Sequence, residues 1–171
     1  MPKVHFVKCA RKDNPAVKKG EPYYHWSFYR GPTVYSATRP RPSQLTQSEK
    51  LSTAYSINEA IEDYRVDVAD KDGFEGALNE AKSFLEEKAQ EIRDLADEYR
   101  QSADNIRESF SESPTADDCE EKADNLESWA DELDSAVSEI ESIDLDFEDG
   151  QLELQVEELS NAICATSTCP L

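Results

Sequence analysis

Between Leu85 and Phe110 the apolar positions Leu85, Ala89, Ile92, Ala96, Tyr99, Ala103, Ile106 and Phe110 follow one another at alternating spacings of four and three, with neither Pro nor Gly after Gly76. A helix with this pattern keeps one narrow apolar seam turned towards a partner. The rhythm resumes after SESPTADD at Cys119, Ala123, Leu126, Ala130, Leu133, Val137 and Ile140, with Pro114 and Thr115 supplying a break and a cap. Two seams joined by so short a turn predict an antiparallel helical hairpin, a coiled coil closed on itself. Small and large residues alternate along both, so that a large side chain on one helix can face an Ala on the other.

The hairpin is flanked by different material. Beyond the acidic linker DLDFEDG, Leu152, Val156, Leu159 and Ile163 stand at helical spacing and predict a short C-terminal helix along the hairpin. At the other end, strand formers and turn residues predict a three-stranded meander at 4–9, 23–30 and 33–37. Alternation in the second strand puts Tyr24, Trp26 and Phe28 on one face and Tyr23, His25, Ser27 and Tyr29 on the other. Pro40 and Pro42 stop the sheet, and Thr46 to Glu49 has the spacing of a capping box. A helix should follow, with Leu51, Ala54, Ile57, Ile61, Tyr64 and Val68 as its apolar stripe and the sheet face of Trp26 as its partner. The expected fold is α+β and mostly helical: a three-stranded antiparallel sheet with one helix at residues 1–72, then an antiparallel hairpin and terminal helix at 73–171.

The net charge of −20 conceals a division. Residues 1–56 hold ten Lys and Arg against three Asp and Glu, a net +7, whereas residues 57–171 hold eight against thirty-five, a net −27. An electrostatic partner for either half, or contact between the halves, is therefore expected. No apolar run approaches the length of a spanning helix, and the start MPKVHFVKCARK lacks the apolar core of a signal peptide, so a soluble, cytoplasmic chain is expected, with no membrane partner. Without a secretory signal, the four cysteines read as thiols or ligands more readily than as a disulfide framework.

Three constellations can carry function. Lys3, Lys8, Arg11, Lys12, Lys18, Lys19, Arg30, Arg39 and Arg41 fall at strand ends and in loops, beside Tyr23, His25 and Tyr29, which combines cations for phosphates with rings for stacking. The plainer alternative is a set of solvated edge residues that also offsets the acidic half. In the acidic half, residues 74–112 and 115–143 hold twenty-two acids and six bases, a net −16. Spread over helices roughly 58 Å long, this is about half the charge density of duplex DNA. Because Lys122 is the single base of residues 115–143, a surface imitating phosphates falls there and on the linker beyond, with Glu120, Asp124, Glu127, Asp131 and Asp134 as its helical acids. The plainer alternative is the solubilising exterior of a coiled coil. Third, His5 and Cys9 on one strand face, with Cys164 and Cys169 in the tail, could supply four zinc ligands, although neither pair has CxxC spacing and no metal or other cofactor is the primary expectation.

Other chemistry is excluded or unsupported. Taking Gly73 as the sixth position of an EF-hand loop puts Val68 first and Asn79 twelfth, and neither supplies a carboxylate. No Walker loop, GxGxxG, GxSxG or HExxH is present, so no enzyme is expected.

Three strands covered by one helix, with the strand YYHWSFYRG, resemble the arm-binding and AP2-type DNA-binding domains, which lay their sheet in the major groove. The stretch from KKGEPYYHWSFYRG through RPRPSQLTQSE is similar to short uncharacterised proteins of tailed bacteriophages, a resemblance over the N-terminal third that implies an accessory protein working in an infected bacterium. The expectation is a binding protein without catalysis: a basic module contacts nucleic acid, and an acidic arm serves self-association or a protein partner. The alternatives are an inhibitor whose acidic hairpin blocks a host nucleic-acid-binding or defence protein, and an oligomeric scaffold or virion component.

Overall fold

Strands form where β-branched and aromatic residues are bounded by turn residues, and the computed structural model, which describes residues 1–147 and 149–171, has three of them. They are β1 (His5–Val7), β2 (Tyr23–Ser27) and β3 (Thr33–Ser36), antiparallel neighbours in chain order. Each is shorter than its sequence span. β1 stops early because the chain turns into a loop closed by Ala10 N–H on the Glu21 carbonyl at 2.9 Å. Cys9 therefore lies beyond the strand and does not share its face with His5. β2 stops at Ser27 because Gly31 N–H donates to the Phe28 carbonyl at 3.0 Å, closing a turn in which Arg30 adopts φ 58°.

The first helix, α1 (Glu49–Asp63), starts at a cap two residues later than expected. Leu51 N–H approaches Ser48 Oγ at 3.4 Å, while Thr46 Oγ1 accepts from Ser48 N–H at 3.1 Å instead of capping the helix itself. Ala54, Ile57 and Ile61 of the predicted stripe are buried. Tyr64 and Val68 lie past the end of the helix, where the Arg65 guanidinium donates to the Glu62 and Tyr64 carbonyls at 2.6 and 2.7 Å. A cation on terminal carbonyls is a favourable stop signal. The chain divides into two compact units, Met1–Ser56 and Ile57–Leu171, within α1 and at the position where the sequence charge reverses. Each unit is described by itself.

The helical unit is built on α2 (Lys71–Ser109) and α3 (Pro114–Glu141), the predicted antiparallel hairpin. α2 begins before the expected point because Asp70 caps it, its carboxylate accepting from Gly73 N–H at 2.9 Å, so Asp72 and Gly73 belong to the first turn. Its seam ends sooner, since Phe110 sits outside the helix with 69% of its surface exposed. In α3 Pro114 occupies the first helical turn, where its missing N–H is no loss, and Thr115 lies inside the helix instead of capping it. Leu85, Ala89, Ile92, Ala103, Ala123, Leu126, Ala130, Leu133 and Ile140 are fully buried, which confirms the paired seams. Each large aliphatic side chain so buried contributes about 1.5–3 kcal/mol relative to exposure.

A second stripe, not evident in the sequence, turns the hairpin into a three-helix arrangement. Leu95 on α2 and Trp129 and Ala136 on α3 lie off the seam and are nonetheless buried. The final helix, α4 (Leu152–Ala165), packs on both α2 and α3 and buries Leu159 and Ile163. Its tail is tied down by Trp129 Nε1–H donating to the Thr166 carbonyl and by Cys169 N–H donating to Asn58 Oδ1, each at 2.8 Å. Phe147, in the linker before α4, meets Phe74 edge-on at 5.3 Å, with Lys71 Nζ 4.8 Å from its ring centre. The linker's Glu148 lies outside the described residues. No helix among the described residues is long and apolar enough to cross a membrane.

Candidate nucleic-acid interface

The sheet of the basic unit has two unlike faces. Phe6 and Tyr24 lie together, with rings 4.9 Å apart, on the side where Trp26 is buried opposite Val34. The register His5–His25–Tyr35 gathers the polar aromatics on the other side. There His5 stacks on His25 at 5.1 Å, and Tyr23 and Tyr35 stand 5.9 and 6.3 Å from His25 and 5.9 Å from each other. All four rings are half-buried or exposed. Of this cluster the sequence pointed to Tyr23 and His25 as ring contacts, treated His5 as a metal candidate and passed over Tyr35. Alternation along β3 carried the signal, because Tyr35 pairs directly with His25. Tyr29, expected on the same face, is carried away by the turn after Ser27, is 85% exposed, and has the Arg30 guanidinium 5.1 Å from its ring centre.

The loop before β2 is held by its own short polar side chains. Asn14 Oδ1 accepts from Ala16 and Val17 N–H at 2.9 and 3.0 Å, with Val17 and Ala10 buried beneath. Asp13 Oδ1 accepts from Lys19 N–H at 2.7 Å and Glu21 Oε2 from Lys18 N–H at 2.8 Å. Both loop carboxylates are thus engaged by backbone amides. The side chains of Lys8, Arg11, Lys12, Lys18, Lys19 and Arg39 are exposed, and among the described residues none of them forms an ion pair. Arg41 is exposed as well, its N–H bonded to Gln44 Oε1 at 3.1 Å.

The acidic candidates have a different setting. On α2, Arg93, Arg100 and Arg107 stand seven residues apart, and each meets two acids of α3. Arg107 reaches Glu120, at 2.7 Å in one of its contacts, and Asp117 at 2.9 Å. Arg100 bonds Glu127 and lies 3.5 Å from Asp124. Arg93 bonds Asp134 and lies 3.4 Å from Asp131. The arginines descend by one heptad as the acids climb by one, as antiparallel helices require. Glu120, Asp124, Glu127, Asp131 and Asp134 are all partners in this ladder. Lys82 extends it to Glu141 at 2.6 Å.

Each guanidinium in the ladder titrates above its ordinary value, chiefly through its hydrogen bond to Asp134, Glu127 or Glu120, and Arg107 in turn holds the Glu120 carboxyl below its ordinary value of 4.5. A carboxyl whose folded value is depressed stabilises the fold fully above its unfolded value, and that stabilisation is lost as the pH falls through the folded one. Changing Arg93, Arg100 and Arg107 together to Gln should therefore lower the thermal midpoint at pH 7 and low salt and make it rise more steeply with added NaCl than in the unaltered chain. An identical salt response would show that the arginines do not offset the repulsion among the acids.

The cysteine candidates do not assemble. All four thiols are free, and among the described residues no three His, Cys, Asp or Glu side chains form a group able to hold a metal ion. Cys119, expected in the seam, is half-buried, and burial pushes the Cys169 thiol up. No family model, curated protein or solved structure matches the chain.

Proposed function

We propose that the chain is a non-catalytic binding protein whose basic unit engages nucleic acid, chiefly through phosphates, and whose acidic helical unit is an arm for a protein partner. The observation that carries the first part is the contrast in how the two units use their cations. Of the eight cations of the helical unit, Lys82, Lys88, Arg93, Arg100, Arg107 and Lys122 are ion-paired, and Arg65 and Lys71 are held on backbone carbonyls. Lys8, Arg11, Lys12, Lys18, Lys19 and Arg39 of the basic unit stand exposed without acidic partners among the described residues. Free cations around a loop of fixed backbone suit the displacement of counterions from phosphates, and the His5, Tyr23, His25 and Tyr35 cluster of the same unit offers rings for stacking. A phosphate-imitating hairpin draws less support, because the acids it would present are those already bonded to arginines.

The test is a chemical-shift map of the full chain titrated with a 20-nucleotide oligonucleotide. Shifts concentrated in residues 3–41, with the α2 and α3 amides unmoved, are the expected result. No shifts at low salt, or shifts centred on the hairpin, would overturn the reading.

A further inference from the structure

α4 carries two stripes. Leu159 and Ile163 point into the helical unit, whereas Leu154 is 62% exposed and begins an outward row at helical spacing. This row borders an open groove of about 530 Å³ between the end of α3 and α4. Leu154, Ala162 and Ala165 supply its accessible apolar surface, with Ile143 buried at its floor, Glu139, Glu157 and Glu158 supply its charge, and among the described residues no Lys or Arg lines it.

From this arrangement we infer that the groove is a docking site for a basic amphipathic helix of a partner protein. Charge complementarity selects the occupant. Apolar side chains of the incoming helix would meet Leu154, Ala162 and Ala165, while its Lys or Arg residues meet the three glutamates. A phosphate backbone would be repelled by the same glutamates. A second copy packing through this surface would set those acids against their own images. A helix lying along α4 would cover about 21 Å, the length of 14 residues at 1.5 Å each.

The site refines the reading of the helical unit as a partner-binding arm and is independent of nucleic-acid binding by the basic unit. The test uses the full chain and a fluorescein-labelled peptide of about 14 residues, with leucines on one helical face and lysines on the other, against a scrambled peptide of the same composition. The patterned peptide should bind at least tenfold more tightly than the scrambled one. Leu154→Asp should weaken it at least tenfold, as should Glu157→Lys with Glu158→Lys, with helical circular dichroism preserved in both variants. Equal binding of the two peptides would overturn the proposal by showing attraction to net charge alone. Shifts of α2 or α3 amides away from the groove would overturn the site while leaving the partner-binding arm intact. A peptide-free dimer abolished by Leu154→Asp would identify a second copy as the occupant and likewise overturn it.

Discussion

Changing Lys12, Lys18, Lys19 and Arg39 together to Glu should lower the affinity of the chain for a labelled oligonucleotide, read by fluorescence anisotropy in 0.1 M salt, by at least two orders of magnitude. Each phosphate that a cation neutralises releases about 0.9 of a counterion, so at 0.1 M salt each such cation contributes roughly 0.9 of a decade in binding. Replacing four of them removes three decades or more, before any repulsion from the introduced acids is counted. All four side chains are exposed and without ion pairs among the described residues, so an unchanged circular dichroism spectrum is expected of the variant. A fall of less than threefold would show that these cations do not meet phosphates.

The second large effect is on stability. Trp129 is 2% exposed and the largest of the fully buried side chains, and its Nε1–H satisfies the carbonyl of the buried Thr166. Trp129→Ala should destabilise the helical unit by about 3–5 kcal/mol, the usual cost of removing a large buried aromatic. The stranded carbonyl raises this further. Trp129→Phe keeps most of the ring and removes only the donor, and should cost about 1–2 kcal/mol. Urea unfolding followed by far-ultraviolet circular dichroism measures both. A destabilisation below about 1 kcal/mol for the alanine variant would mean that α4 and its tail are not held by this side chain.

These two effects differ in how far they could be read from the chain. The paired seams were legible because Leu85 to Ala103 and Ala123 to Ile140 repeat one spacing often enough to specify a helix, its apolar face and its partner. Trp129 was not, since it lies off the seam and its partner is a backbone carbonyl 37 residues away. Only the return of α4 explains its burial. Leu95, also off the seam and buried, was missed as well.

The ladder was present in the sequence as the heptad spacing of Arg93, Arg100 and Arg107, but charge counted helix by helix does not reveal it. The count made α3 the less neutralised of the two helices. Counted by face, the acids of α3 chosen as a phosphate imitation turn out to be the ones paired with arginines across the hairpin. Strand ends were the least legible feature, because β1 and β2 are cut short by the hydrogen bonds of Ala10 and Gly31, which propensity does not register. Those early ends carry Tyr29 and Cys9 off the faces on which alternation had put them.

The central claim, that exposed cations of the basic unit neutralise phosphates, is tested most directly by the salt dependence of oligonucleotide binding in the unaltered chain and in the Lys12, Lys18, Lys19 and Arg39 variant. Between 50 and 200 mM NaCl, the slope of log affinity against log salt should be about −3 to −4 in the unaltered chain and shallower by about one unit for each of these cations replaced. A slope near zero in the unaltered chain, or an unchanged slope in the variant, would contradict the account.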